Sequence, residues 1–276
     1  MIPIIITGQE YRIREILNEF PEVDLYGLPT IETVETFRDN QQVLRTVLNW
    51  LEKHPITDRE STRSCVAIFS RSGARALFHA LEYAAHNEKL SDHFKQCAHQ
   101  ARLGNWPFAV VSEQTRKEVL RLFSSARIAF LSDDGTGAGL ARSMKTQTRS
   151  ILAIHAERGR EEFYTILNNS TDHPEIERVA LYRTRSCIID WDTVRALPSP
   201  AYWILGSPSS VETIMMSTGE LSNPERLAWM NRTRFCALGH TTANALQSHG
   251  IHPVLIAATP DYTQCIRELM RSAYDS

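Results

Sequence analysis

Arg234-Phe-Cys-Ala-Leu-Gly-His-Thr-Thr-Ala-Asn-Ala-Leu246 joins an apolar run, Phe235 to Leu238, to a helical pattern that starts straight after Gly239. The stretch reads as a buried strand, a tight turn and a helix N-terminus. Gly239 tolerates the backbone angles of a sharp turn, Thr241 or Thr242 can cap the first free N–H groups, and Ala243, Ala245 and Leu246 supply an apolar helix face. Such a junction aims N–H donors and a partial positive charge at whatever lies above it, which suits a carboxylate or phosphate. Taken singly, its threonines are ordinary caps.

The layout recurs. Phe108 to Leu120 repeats it, with Ser112 in place of Gly239 and Thr115 in place of Thr242. Upstream of each copy lies a matching pair, Val66 to Leu77 and Tyr202 to Thr213; downstream, Ile128 to Ala141 mirrors Pro253 to Ile266. Three strand–turn–helix units in one order, written twice, predict two similar α/β lobes with parallel sheets flanked by helices.

A strand at Ile4 to Thr7, a helix from Tyr11 to Phe20 and an extended segment from Val23 to Ile31 precede the first copy, followed by a helix from Gln41 to Leu51. The second copy has no such opening. The economical solution is a discontinuous lobe, residues 1–36 with 185–276, into which residues 37–184 are inserted; the chain would then cross between the two near Pro29 to Phe37 and near Tyr182 to Asp190. Strands at Ser150 to His155 and Arg178 to Arg183, with a helix from Arg160 to Leu167, complete the inserted lobe.

Composition fits an ordinary globule: 276 residues, 42% hydrophobic, with 12 Gly and 12 Pro. A net charge of −2 and a pI near 6.6 give no electrostatic case for a nucleic-acid partner. Five cysteines without a C-x-x-C pair read as reduced thiols of a cytosolic protein, not as a disulfide framework or zinc site. The apolar start, Met1 to Thr7, is too short for a signal peptide, and no segment approaches a membrane span. The ten histidines, including His99, His249 and His252, lack a third ligand nearby, so no metal is expected. Gly135-Thr-Gly-Ala-Gly139 has neither dinucleotide-binding nor P-loop spacing and reads as a helix lead-in.

Ser207 to Val211, Ala237 to Leu246 with Gly250 and Ala258-Thr-Pro260, and Arg158 to Glu162 leading to Val179 to Thr184 follow one another in an order that resembles the uroporphyrinogen-III synthase family over almost the whole chain. The resemblance implies two α/β lobes, one discontinuous, joined by a two-stranded connection. It also implies a cofactor-free, metal-free reaction of a small-molecule substrate: hydroxymethylbilane loses its terminal hydroxyl and closes to uroporphyrinogen III with ring D inverted through a spiro intermediate. A monomer without membrane or nucleic-acid partners is expected. The alternative is a two-lobed tetrapyrrole sensor or scaffold that has lost catalysis.

The substrate carries eight carboxylates, yet the chain has no conspicuous basic cluster. Strand-end turns facing one cleft can supply N–H donors instead, and Ser70, Ser72, Thr115, Ser207, Ser209, Thr241 and Thr242 stand at those turns. Arg71 and Arg75 are candidates to pair with substrate acids, while Arg160 and Arg234 fall where the family often carries basic residues. Tyr182 matches the family's tyrosine at the end of the inserted lobe's last strand. Its phenol stays protonated at neutral pH and can protonate the departing hydroxyl. The chain departs from the family's usual turns at Phe69-Ser-Arg-Ser-Gly73 and Gly239-His-Thr-Thr242, where His240 either binds a carboxylate or fills an exposed turn.

Overall fold

The computed structural model of the chain describes residues 2–55, 61–145, 147–157, 161–170, 173–219 and 221–274. The chain divides into two compact units, residues 1–32 with 185–276 and residues 33–184. The first unit opens with β1 (Ile4–Gly8), α1 (Glu10–Glu19) and β2 (Leu25–Pro29). Then come β3 (Ile31–Glu35), α2 (Gln41–Lys53), β4 (Ser64–Ile68), α3 (Arg71–His86), α4 (Asp92–Ala101), β5 (Pro107–Val110) and α5 (Glu113–Leu122). The second unit continues through β6 (Arg127–Leu131), α6 (Gly137–Met144), β7 (Ser150–Ala156), α7 (Glu161–Asn168) and β8 (Glu175–Ser186). The chain finishes the first unit with α8 (Trp191–Arg195), β9 (Ala201–Leu205), α9 (Pro208–Ser217), α10 (Asn223–Arg232), β10 (Thr233–Ala237), α11 (His240–Ser248), β11 (Leu255–Ile256) and α12 (Tyr262–Tyr274).

Among the described residues the first unit has a five-stranded sheet ordered β11-β10-β9-β1-β2, and the second a six-stranded sheet ordered β3-β8-β7-β4-β5-β6. The strands from β1 outward to β2 and β11 pair in parallel, as do those from β8 through to β6. With β3 set aside, β8-β7-β4-β5-β6 is the order β2-β1-β9-β10-β11 entered at a different strand. The β1-α1-β2 start of one unit thus plays the part of the β7-α7-β8 end of the other.

Central strands of such sheets are covered on both faces and read as continuous apolar runs. In β1, Ile4 and Ile6 pack with Ile13, Ile16 and Ile266, while Ile5 packs on the opposite face with Trp203, Val211 and Leu246. In β4, Val66 and Ile68 meet Leu44, Leu48 and Leu77, whereas Cys65 and Ala67 face Leu140, Phe163 and Leu167. The helix expected at Gln41 to Leu51 buries Leu44, Val47, Leu48 and Leu51, the face its spacing predicts. Cys65, Cys236 and Cys265 are buried free thiols, and burial pushes the Cys265 thiol up to about 12. No helix among the described residues is long and apolar enough to cross a membrane.

Two expectations change. The single extended segment at Val23 to Ile31 is two strands broken at Thr30, whose carbonyl accepts from the Thr213 hydroxyl and the Cys187 N–H. Residues 33–36, assigned to the first lobe from the sequence, fall in the second unit, because β3 lies in its sheet and Thr36 N–H donates to the Leu181 carbonyl at 3.0 Å.

The carboxyl ends of β1 and β9 are packed closely. Tyr262 lies buried there, its hydroxyl donating to the Thr7 carbonyl at 2.5 Å, and burial pushes its phenol up to about 12. A Cβ on Gly206 would stand 1.9 Å from that hydroxyl, so only glycine fits. Gly206→Ala is expected to destabilise the protein by about 1–3 kcal/mol through overpacking. Tyr262→Phe, which removes the clashing oxygen, is expected to recover part of that loss when the two are combined. Chemical denaturation of the four-member cycle measures this; strict additivity would contradict it.

Candidate active site

In an open parallel sheet each strand ends, and each following helix starts, along the same edge, and ligands settle outside those carboxyl ends where the strand order reverses. The reversal falls between β1 and β9 in the first unit and between β7 and β4 in the second. The turns that follow β9 and β4 carry Ser207 and Ser70, so the two serines hold equivalent places.

Both are helix N-caps. Ser70 accepts from Gly73 N–H at 3.0 Å and Ser207 from Ser210 N–H at 3.2 Å; Ser112 caps Thr115 at 3.3 Å, and Thr136 caps Gly139 at 2.9 Å. All four have extended backbones, with φ from −165° to −111° and ψ near 160°. Gly239, the fifth, has φ 173° and ψ 169°, an extended conformation open to any residue, and it offers no side-chain cap. Neither the special backbone angle nor the threonine cap expected for that turn is present. Nothing lies within 4 Å of the place a Gly239 Cβ would occupy, so the start of α11 is the one of these five junctions with open space where a capping oxygen would stand. By contrast the start of α6 holds a carboxylate of its own: Asp134 accepts from Ser132, from the Thr136 N–H and hydroxyl, and from Arg142 at 2.6 Å. These hydrogen bonds, that to the Thr136 hydroxyl foremost, hold the Asp134 carboxyl down at about 2.

Tyr182 comes to the reversal point of the second unit. Its backbone carbonyl takes Glu157 N–H at 2.8 Å, where β7 and β8 part, while β8 itself runs on to Ser186. The tyrosine is therefore inside the strand and not at its end as the sequence suggested. Its phenol oxygen lies 2.7 Å from Ser70 Oγ, and the side chain is 6% exposed. Two residues picked separately from the sequence thus share one hydrogen bond.

The other candidates divide. Ser72 is buried in the first turn of α3. Thr115 is 2% exposed, and its hydroxyl lies 3.0 Å from Ser112 Oγ, so it secures a cap. Thr242 is buried, while Thr241, His240 and Ser209 are exposed. Arg75 donates to buried Glu118 at 2.7 Å. Arg234 stands at the opposite end of its sheet: it opens β10, beside Tyr202 near the start of β9, and donates to the Tyr202 hydroxyl at 2.8 Å. Arg160 lies outside the described residues.

Sequence reasoning missed three residues near these junctions. Thr30 donates to Ser210 Oγ at 2.9 Å, and Ser210 lies 3.1 Å from Ser207 Oγ, so the α9 cap is tied to the link between β2 and β3. His155, near the end of β7, places Nδ1 2.6 Å from the Ala156 carbonyl and leaves Nε2 buried without a described partner. Burial raises the Glu118 carboxyl, but the hydrogen bond from Arg121 and the charges of Arg75, Arg121 and Arg71 outweigh it and hold the group below its usual range. No sequence spacing signals Thr30, or the arginines of α3 that meet Glu118, because these partners lie on other elements. Among the described residues no cluster of three or more His, Cys, Asp or Glu could hold a metal ion.

Two open parallel sheets with polar turns along their carboxyl edges define an α/β protein of the kind that binds small charged molecules at strand ends. The family model described as uroporphyrinogen-III synthase HemD matches residues 23–267, and the chain belongs to the uroporphyrinogen-III synthase family, which serves porphyrin and heme biosynthesis. The structure is similar to that of uroporphyrinogen-III synthetase from Helicobacter pylori 26695, at 17% identity and TM-score 0.57, over 98% of this chain and 99% of that one. It is also similar to a mutant uroporphyrinogen III synthase from the extremely thermophilic bacterium Thermus thermophilus, at 13% identity and TM-score 0.56, over 99% and 100% of the two chains. At these identities the likeness is one of fold. No curated protein matches the sequence significantly.

Tyr182→Phe keeps the ring and removes only the hydroxyl shared with Ser70. With hydroxymethylbilane as substrate, kcat is expected to fall by about 10²-fold, the usual worth of one general acid. Loss of the hydrogen bond to Ser70 is expected to cost about 0.5–1.5 kcal/mol of stability. An unchanged kcat with lowered stability would leave Tyr182 as a packing residue.

Proposed function

We propose that this chain is a working uroporphyrinogen-III synthase, a lyase that closes hydroxymethylbilane to uroporphyrinogen III, and that Tyr182 is its general acid. The hydrogen bond between Ser70 Oγ and the Tyr182 phenol carries the reading. Ser70 Oγ accepts from Gly73 N–H, and either oxygen of the Ser70–Tyr182 pair can donate to the other; we take the Ser70 proton to point at the Tyr182 oxygen. A chain that runs N–H to hydroxyl to phenol polarises each member in turn and strengthens the terminal donor.

The terminal C–O bond then breaks as electron density from the pyrrole that bears the hydroxymethyl group, the ring at the opposite end of the open chain from ring D, fills the carbon, and the hydroxyl leaves as water with the Tyr182 proton. Attack through the substituted carbon of ring D gives the spiro intermediate, and rearrangement closes the macrocycle with that ring inverted. A pyrrole carbon releases a proton on closure, which restores the phenol; the net change is loss of one water. The electron-rich pyrrole expels its leaving group readily, so a weak acid suffices.

The harder demand is shape. The open chain also closes spontaneously without inversion, so selectivity rests on holding a flexible substrate in one fold, an effect worth about 7–11 kcal/mol at best for ideally oriented groups. Helix N-termini at the carboxyl edges, with Ser207 and the open start of α11 in the first unit and Ser70 in the second, suit the substrate's carboxylates. We read the two compact units as the family's two lobes, residues 33–184 being inserted into the other. The asymmetric start of α11, with room where the other junctions carry a hydroxyl, favours a binding role over a purely structural one.

Purified protein given fresh hydroxymethylbilane is expected to yield mainly the type III isomer with no added metal or cofactor. Chromatographic separation of the oxidised products checks this. Type I product alone, at the spontaneous rate, would support the non-catalytic sensor.

A further inference from the structure

Glu118 is a carboxylate that the reaction as derived above does not use, and it is buried to 4% exposure on the second turn of α5. Three guanidinium groups converge on it: Arg75 Nε at 2.7 Å, Arg121 Nη2 at 2.7 Å and Arg71 Nη2 at 3.5 Å. As a device for packing α5 on α3 this is expensive, since apolar residues of similar volume hold buried faces as well or better. The neighbouring buried position, Val119, does just that. What the ion cluster adds is orientation. A carboxylate fixes a guanidinium in a defined plane.

Its position matters as much. Arg71 follows Ser70 directly and opens α3, one turn before Arg75, so both lie in the opening turns of the helix that Ser70 caps at the carboxyl edge of β4. Their side chains are 19% and 23% exposed, against 4% for Glu118: the arginines are within reach of a solute and the carboxylate is not. Arginine recognises carboxylates through paired, directional N–H donors, which requires that its plane be held.

We propose that Glu118 is a positioning residue which holds Arg71 and Arg75 so that they take an acetate or propionate side chain of the tetrapyrrole next to Tyr182. This rests on the reading given under Proposed function and extends it to the specificity of the same site. Glu118 touches no reacting atom; it acts through the two arginines, and Arg121 completes its charge balance from the solvent side.

The test is a cycle of Glu118→Gln, Arg75→Gln and the double variant, with Glu118→Asp as the conservative control. Each is assayed for KM and kcat on hydroxymethylbilane, for uroporphyrin III binding by fluorescence titration, and for thermal unfolding. Glu118→Gln is expected to raise KM and the uroporphyrin Kd about tenfold with kcat within twofold, as suits loss of one oriented charge contact. Glu118→Asp should restore part of the affinity, and the double variant should lose less than the sum of the two single losses, because Glu118 acts in part through Arg75. Unchanged KM and Kd, with or without a lower unfolding temperature, would make the cluster purely structural and overturn the proposal, as would full additivity in the cycle. If the wild type forms no type III product, the catalytic reading fails separately, and Glu118 is judged on uroporphyrin binding; a wild type that binds no uroporphyrin III overturns it too.

Discussion

Parallel pairing of the strands is the constraint on which everything else here depends. From Ile4 alongside Leu25 and Tyr202 in one sheet to Val66 alongside Phe108 and Leu152 in the other, each register places strand ends and helix starts on a common edge. Polar groups that would be scattered in an antiparallel meander are thereby collected along the carboxyl edge of each sheet. Helix N-termini supply directed N–H groups without any net charge on the protein. A chain of net charge −2 with no basic stretch can therefore suit a polyanionic ligand.

Within that frame, general donors and specific chemistry are separable. Capping serines at Ser70, Ser112 and Ser207 do ordinary structural work at every junction, and only at Ser70 does the capping oxygen also meet a phenol. Asp134 shows how completely a junction can be closed from within: its carboxylate takes the place an external anion would fill at α6. The start of α11 is the reverse case, with neither hydroxyl nor carboxylate supplied. The junctions thus differ in what already fills them: a hydroxyl at α3, α5 and α9, a carboxylate at α6, and neither at α11.

Much of this was legible in the sequence because it is local. The apolar run into Gly239 and the helix after it, the serines three residues before their partner N–H groups, and the amphipathic face of Gln41 to Leu51 all depend on neighbours a few residues away. Tyr182 was found through resemblance, and its contact with Ser70 spans too long a stretch of chain for spacing to reveal. Arg234 was misplaced for a simple reason: it lies on the same short strand as Ala237, but at about 3.3 Å per residue a strand of five puts its two ends on opposite edges of the sheet. Glu118 was invisible because a glutamate among Arg116, Lys117 and Arg121 reads as a solvated helix face until α3 is packed against it. The break at Thr30 was equally hidden, since the groups that capture its backbone come from α9 and from Cys187.

We propose that the tetrapyrrole is bound at the carboxyl ends of the strands, where Ser70 and Tyr182 meet. Backbone amide chemical shifts of the isotope-labelled protein, followed by nuclear magnetic resonance as uroporphyrin III is added, test it residue by residue. The account predicts that the amides around Ser70 to Gly73, Ser207 to Ser210 and Gly239 to Thr242 shift together and saturably, while those around Arg234 and Tyr202 at the opposite edge stay still. Shifts confined to the Arg234 edge, or saturable binding that leaves all three junctions unmoved, would contradict it.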